Sequence, residues 1–293
     1  MIMVSSGGTV RHPLTSEILK PTPLFGKPVQ IKANEDPRQA LAAWMVSKEN
    51  DYFAQVMANR VWATMMGRGL VEPVDDLRAT NPPSNGPLLK ALGDHFRKEK
   101  FDIKKLIRAI ATSHVYQLSA VATKRNIADT RNYSRHYRVR MRAEVLLDAF
   151  RDITKVPDSY SAMAPGSRAS QIWTRRVSSL FLDTFGRPDP NQDPPCERTN
   201  ESTVTQALHL MNAPKLHAKV ISKDGRAATL AKSKQTDQQI VEKLYLVTYG
   251  RFPSKQESSV CVSLYKRPGK SRRQTTEDLL WALLNTPEFI FKN

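Results

Sequence analysis

Hydrophobic side chains recur every three or four residues along much of the chain, which is the spacing of amphipathic α-helices. Between residues 51 and 66, Phe53, Met57, Val61 and Met65 share one helical face. The same periodicity, or the spacing of a capping box, predicts helices near residues 37–46, 88–96, 103–110, 145–153, 203–211, 238–248 and 277–284, and one starting at Ser254. The sequence therefore predicts a mainly α fold, a multi-helical globular domain.

Proline-rich segments separate these helices, and each proline removes a backbone hydrogen-bond donor and resists helix formation. We expect an extended N-terminal arm over residues 1–34 and a helical lobe over 35–120 that carries a long, ordered, acidic loop. A second helical lobe is predicted over 121–293, either separate from the first or continuous with it. Its segment 157–201 is expected to be mostly irregular, and the run VSSLFLDTF within it fits either a strand or a brief helix.

The chain is strongly basic. Its 45 lysine and arginine residues outnumber 28 acidic residues, which gives a formal net charge of +17. Such an excess attracts polyanions at long range but does not distinguish nucleic acid, anionic lipid, acidic polysaccharide or an acidic protein. A polyanionic ligand is therefore the expected partner.

Cysteine content and hydropathy exclude several classes of protein. The two cysteines, Cys196 and Cys261, are too few for a disulfide framework or a paired-cysteine zinc site. No uninterrupted apolar segment approaches the roughly 20 residues that a membrane-spanning helix needs. The first residues also lack the pattern of a signal peptide, so the chain as written is expected to be soluble and unexported.

The acidic loop offers candidate chemistry at Asp75 and Asp76. Two adjacent carboxylates, with Asn81 following, can bind a hard cation or act as general acid and base. They can equally cap turns in a proline-rich loop, and the spacing of a calcium-binding loop is absent.

Asn59, Arg60 and Trp62 place polar groups within an otherwise apolar helix. A buried polar side chain must find a partner or cost stability, and the loop that follows the helix is the nearest source of partners. We expect Arg60 to order the Asp75–Asp76 segment through charge-assisted hydrogen bonds and Arg78 to neutralise the pair.

The stretch RNYSRHYRVRMR alternates cations with aromatic rings. Its candidate ligand-binding residues are Arg131, Tyr133, Arg135, Tyr137, Arg138 and Arg140. The arginines can meet phosphates, sulfates or carboxylates, and the tyrosines can stack on bases or sugar faces. The alternative is an arginine-rich seam between lobes that pairs with internal carboxylates.

Cys196, Glu197 and Arg198 form a second polar cluster, and His209 follows on a predicted helix. A thiolate beside a cation can serve as a nucleophile with histidine as its base, although a lone cysteine is more often buried and inert. The histidines lack zincin spacing, so no metal site is predicted.

Six stretches together resemble one known family. They are HPLTSE, NRVWATMMGRGLVEPVDDLRATNPPSN, NYSRHYRVRMRAEVLLDAF, FLDTFGRPDPNQDPPCERT, TVTQALHLMNAP and LLWALLNTPEFIF, in that order. The chain is similar to the planctomycete-type domain of unknown function 1553. That family brings no established catalytic residues, and its motif positions here are Asn59, Arg60, Trp62, Asp75, Asp76, Arg78, Asn81, Cys196, Glu197 and Arg198.

The resemblance implies the C-terminal domain of a larger exported protein, periplasmic or at the cell surface. Its upstream parts would be another uncharacterised domain and often a cytochrome-c-like haem module. The haem attachment pattern, two cysteines two residues apart followed by histidine, does not occur here. No cofactor is therefore expected in this chain, which looks like a separated C-terminal domain, and haem could enter only through another region or a partner.

Three functions remain open from the sequence. The first is an accessory or binding module for a polyanion such as an acidic polysaccharide. The second is a hydrolase or redox-coupled enzyme that uses the Asp75–Asp76 loop, and the third is a nucleic-acid-binding protein. We also expect the Asn81 and Cys196 loops to approach each other over a helical core.

Overall fold

The computed structural model describes residues 9–24, 26–31, 35–161, 163–172, 177–188 and 202–292. Within these ranges the chain forms thirteen α-helices and four strands of two residues each. The mainly α fold is confirmed. No helix of the described chain is both long and apolar enough to cross a membrane.

The chain divides into two compact units, Met1–Tyr137 and Arg138–Asn293, called unit 1 and unit 2 below. The division falls after Tyr137, whereas the sequence places it after residue 120. The basic stretch up to Tyr137 belongs to unit 1 because Tyr133 and Tyr137 pack against that unit's core.

Unit 1 contains four helices. They are α1 (Pro37–Met45), α2 (Asp51–Met66), α3 (Gly86–Lys98) and α4 (Ile103–Ala111). Each begins at a residue whose side chain accepts a backbone N–H of the first turn, namely Asp36, Asn50, Asn85 and Asp102. In the predicted arm, β1 (Val10–Arg11) pairs antiparallel with β2 (Ile18–Leu19).

The core of unit 1 lies where α2 packs against α3 and α4. The fully buried face of α2 is formed by Ala54, Ala58, Trp62 and Met66. This face is offset by one residue from the predicted stripe, whose members are half-buried. Small side chains at positions 54 and 58 take up little space, which allows a neighbouring helix to lie close.

Unit 2 contains nine helices within its described residues. They are α5 (Ala143–Thr154), α6 (Leu180–Thr184), α7 (Val204–Asn212), α8 (Pro214–Val220), α9 (Arg226–Lys232), α10 (Asp237–Tyr249), α11 (Lys255–Leu264), α12 (Arg272–Leu284) and α13 (Pro287–Ile290). The run VSSLFLDTF is thus a brief helix. Strand β3 (Val139–Arg140) pairs antiparallel with β4 (Phe291–Lys292), close to the end of the chain.

Capping boxes fix the starts of several unit 2 helices. Thr203, Thr236, Ser254 and Ser271 each accept the backbone N–H of a residue three positions on, whose own side chain bonds back. The core they enclose includes Phe150, Leu244 of α10 and the leucines of α12. Helix α12 packs against α9, and α10 packs against α11.

Candidate functional site

Asn59 lies on α2 and is fully buried, with 0% of its side chain exposed. Its Nδ2 donates to the carbonyl oxygens of Val71 at 3.0 Å and Val74 at 2.8 Å. Its Oδ1 accepts the backbone N–H of Leu70 at 2.7 Å and of Val71 at 3.1 Å. One amide therefore holds the loop that follows α2, which is the partner the sequence predicts for it.

Gly69 makes this approach feasible. A Cβ at position 69 would stand 2.4 Å from the carbonyl oxygen of Val71 and about 3 Å from the amide of Asn59. The backbone N–H of Gly69 donates to Glu72, and Asn81 donates to the carbonyls of Glu72 and Asp76 at 3.0 Å each. The segment 69–85, called the motif loop below, is ordered by side chains that bond to its own backbone.

Both carboxylates of the motif loop are engaged by arginine. The Nε and Nη2 of Arg60 donate to the two oxygens of Asp75 at 2.6 and 2.8 Å. Arg78 lies 2.9 Å from Asp76. Hydrogen bonding from Arg60 lowers the pKa of Asp75 below its ordinary value, so this carboxylate is held as an ion. The expected pairing of Arg60 with the loop is present at Asp75, while Asp76 pairs with Arg78.

A cavity of about 390 Å³ opens beside the motif loop. Tyr52, Gln55, Arg78 and Asn81 are among the residues that line it, whereas Asp75 and Asp76 are not. Neither carboxylate therefore faces this cavity.

Tyr133 joins the basic stretch to the start of the motif loop. Its ring is 7% exposed and meets Trp62 edge to face at 5.3 Å. Its hydroxyl lies 3.0 and 2.8 Å from the carbonyl oxygens of Arg68 and Gly69, to which it donates. Burial raises the pKa of Tyr133 to about 12. This ring is part of the unit's core, where no ligand can stack on it.

Asp129 organises the segment 123–135, called the basic loop below. Its carboxylate accepts the backbone N–H groups of Arg131 at 2.9 Å, Asn132 at 2.7 Å and Ser134 at 2.8 Å. The hydroxyl of Ser134 and these N–H groups hold the pKa of Asp129 well below its ordinary value. Asn126 adds a second brace by accepting the backbone N–H of Thr123 at 2.7 Å.

Three exposed cations project from this braced loop, namely Lys124, Arg125 and Arg131. No carboxylate of the described chain forms an ion pair with any of them. Asp129 is the one acidic residue between Asp102 and Glu144, and its oxygens already bond the loop backbone. The basic loop thus presents positive charge that is not neutralised internally.

The comparisons with known proteins bear on this architecture. A family model described as PSD1, protein of unknown function (DUF1553), matches residues 37–265. The chain belongs to the PSD1 family. Neither a curated protein nor a solved structure gives a significant match.

The matched range of the PSD1 domain contains both the motif loop and the basic loop. The remaining candidate ligand-binding residues differ in their exposure. Arg135 is half-buried and lies 5.2 Å above the ring of Tyr137. Arg138, in unit 2, is exposed. Arg140, also in unit 2, is 9% exposed and lies 5.5 Å above the ring of Phe185. The RNYSRHYRVRMR stretch therefore mixes exposed cations with side chains that serve packing.

Of the nucleophile candidates of the PSD1 domain, only His209 lies within the described residues. Cys196, Glu197 and Arg198 lie outside the described residues. The predicted contact between the Asn81 and Cys196 loops therefore stays a prediction. His209 lies in α7 of unit 2, edge to face with Phe181 and Phe185 at about 6 Å, and burial lowers its pKa. Within the described ranges no group of three or more His, Cys, Asp or Glu side chains could hold a metal ion.

Sequence reasoning did not single out Lys124, Arg125 or Asp129. A usable signal exists for Asp129, since it is a lone acid in a basic stretch and precedes polar turn residues. The two cations carry no local signal of this kind. Their exposure follows from how Asp129 and Tyr133 fold the loop.

Proposed function

We propose that this PSD1 domain is a binding module for a polyanionic ligand, an acidic polysaccharide, and that the basic loop is its contact surface. The observation that carries the proposal is the set of three exposed, unneutralised cations on a loop braced by Asp129. A braced loop loses little conformational entropy when it binds, so its charge is used efficiently.

A comparison with four other arginines of the chain supports this proposal. Arg60, Arg97, Arg187 and Arg251 each form an ion pair with an aspartate or glutamate. These four arginines are neutralised by a carboxylate, whereas Arg125 and Arg131 have no carboxylate partner within the described residues. Cations left without partners fit an external anion.

The aromatic residues favour a polysaccharide over single-stranded nucleic acid. Proteins that bind single strands stack successive bases on exposed rings. Here Tyr133 is buried, and Arg135 covers one face of Tyr137. Arginine and lysine alone suffice to meet the carboxylates or sulfates of an acidic glycan.

The arginine partners of Asp75 and Asp76 support binding over hydrolysis. A general acid or base needs a free proton-transfer site within reach of substrate. Both oxygens of Asp75 are bonded to Arg60, and neither aspartate lines the adjacent cavity.

The test compares retention of the purified chain on a uronate polymer, a sulfated glycan, single-stranded DNA and neutral dextran at two salt concentrations. We expect salt-sensitive retention on one acidic glycan and none on dextran. Arg125→Gln/Arg131→Gln should weaken that retention about tenfold, because it removes both arginine contacts.

The matched control is Lys215→Gln/Lys223→Gln, which removes the same charge from exposed lysines of unit 2. It should change retention less than about twofold. An equal loss in both double variants would mean that only the overall field attracts the polymer, and the basic loop would lose its role. Retention on DNA alone would replace the polysaccharide with nucleic acid.

A further inference from the structure

A groove of about 540 Å³ runs along the hairpin of α10 and α11 in unit 2. Gln238 and Glu242 line it from α10, and Phe252 and Pro253 line it from the connecting loop. Consecutive helices joined by a short loop run antiparallel, so Gln238 and Phe252 lie toward opposite ends of the groove. A site of this volume is large enough for a small ligand.

Helix α11 and the turn after it contribute one continuous row of side chains. Lys255, Ser259, Val262 and Lys266 recur at three- and four-residue intervals and all line the groove. Lys266 lies eleven positions after Lys255, which corresponds to about 16 Å along a helix at 1.5 Å per residue. A ligand that meets both lysines must therefore be elongated.

The charges along the groove favour an anion. Lys255 and Lys266 are exposed, and no described carboxylate pairs with either. Glu242 is the one acidic side chain among the lining residues, and it accepts a hydrogen bond from Gln238 at 3.1 Å. Lys255 is the first residue of α11, where a positive charge opposes the helix dipole, so it gains nothing for helix stability there.

Phe252 supplies an aromatic surface. Its side chain is 65% exposed, although it is large and apolar. It does not stand alone, since Pro253 and Val262 line the same groove. An exposed ring beside hydroxyl and amide groups suits a ligand with one apolar face and many hydroxyls, as a sugar ring has.

We infer that the α10–α11 groove binds a linear acidic oligosaccharide, with Lys255 and Lys266 on its anionic groups and Phe252 against a sugar ring. This rests on the proposed polysaccharide ligand and adds a second contact surface on the other unit. Two surfaces that engage one polymer raise its apparent affinity beyond that of either surface alone.

The experiment titrates the full chain with tetragalacturonate by calorimetry and uses the neutral methyl ester of the same oligomer as the ligand control. Lys255→Gln/Lys266→Gln should weaken tetragalacturonate binding about tenfold at low salt and less at high salt. Phe252→Ala should weaken it about fivefold at both salt concentrations, because stacking is not screened. The methyl ester should bind the unaltered chain about tenfold more weakly than the acid does.

A control variant away from both proposed surfaces tests whether the groove itself binds the tetramer. Lys215→Gln/Lys223→Gln should leave tetragalacturonate binding within about twofold. If binding of the tetramer ignores the groove variants, the inference is overturned, while polymer retention that depends on the basic loop would still stand. If an oligoaspartate peptide binds the groove more tightly than the sugar does, the ligand class is wrong.

The opposite experimental result would also be informative. Tetramer binding that depends on Lys255 and Phe252, with polymer retention indifferent to Arg125 and Arg131, would support the groove and remove the basic loop from the proposed function. The side chains changed on the two surfaces are all exposed, so the variants should keep the circular dichroism spectrum of the unaltered chain.

Discussion

Asn59 uses its whole side-chain amide within the protein. Two hydrogen bonds leave its nitrogen and two reach its oxygen, and all four end on the backbone of residues 70–74. These backbone groups lie in an irregular segment with no sheet or helix to bond them. A single residue of α2 thus supplies hydrogen bonds that a helix or sheet would otherwise provide to the backbone of the motif loop.

Replacing Asn59 with alanine should lower the free energy of unfolding by about 2–4 kcal/mol, since it leaves buried N–H and C=O groups without partners. The measurement is urea denaturation followed by far-ultraviolet circular dichroism. Asn212→Ala is the control, because Asn212 is exposed and makes one bond, to the carbonyl of Leu208 at 3.0 Å. It should cost less than about 0.5 kcal/mol. Equal costs would show that the motif loop is held by other contacts.

At the scale of elements, Arg251 ties α11 to α13. Its guanidinium donates to both oxygens of Glu257 at 2.9 and 2.8 Å and to both oxygens of Glu288 at 2.6 and 2.8 Å. Glu257 also closes the capping box of α11 with Ser254. One arginine therefore fixes a helix start and a second helix at once.

The pH dependence of stability should report this junction. Hydrogen bonding from Arg251 lowers the pKa of Glu257 from 4.5 to about 2. A carboxylate with a lowered folded-state pKa contributes stability that is full above 4.5 and is lost as the pH falls toward 2. Glu257→Gln should therefore lower the free energy of unfolding by about 1 kcal/mol at pH 7, since solvent around the partly exposed side chain weakens the ion pair. Near pH 2 it should lower it by almost nothing.

Chemical denaturation at pH 7 and near pH 2 measures that difference. Arg251→Gln should remove the same acid dependence, because Arg251 is the main cause of the lowered pKa of Glu257. A gap between Glu257→Gln and the unaltered chain that stays constant with pH would contradict the assignment.

At the scale of the whole molecule, two separate clusters of buried side chains form the cores. One contains Trp62, Phe96 and Leu106 in unit 1, and the other contains Phe150 and Leu280 in unit 2. Both units also carry a net positive charge. Unit 1 has 20 basic and 12 acidic residues, and unit 2 has 25 basic and 16 acidic residues. A polyanion would thus meet a net positive charge on either unit.

Two cores predict two unfolding transitions. Leu106 and Leu280 are both fully buried, and each change to alanine should cost about 2–5 kcal/mol through lost contacts and a cavity. In differential scanning calorimetry Leu106→Ala should lower the midpoint of one transition and Leu280→Ala that of the other. One transition that both variants shift equally would show that the units unfold together.

The sequence located most helices because their signals are local. Helix α2 has the predicted bounds, 51–66, and α10 extends one residue beyond its prediction at each end. Helix α12 begins at Arg272, five residues before the predicted start, because its first turns are polar and show no apolar period. The capping box of Ser271 and Gln274 was the available signal there.

By itself the sequence determined the mainly α fold, the family and the pairing of Arg60 with the acidic loop. Each of these depends on short-range patterns or on a loop that follows its helix directly. Only the tertiary structure decided that Tyr133 is buried, because its hydroxyl reaches carbonyls about 65 residues earlier in the chain. It also decided which cations of the basic loop stay exposed and which residues of α11 share a groove with Phe252. The burial of Tyr133 and the exposure of these side chains depend on contacts between distant segments, which their local sequence does not specify.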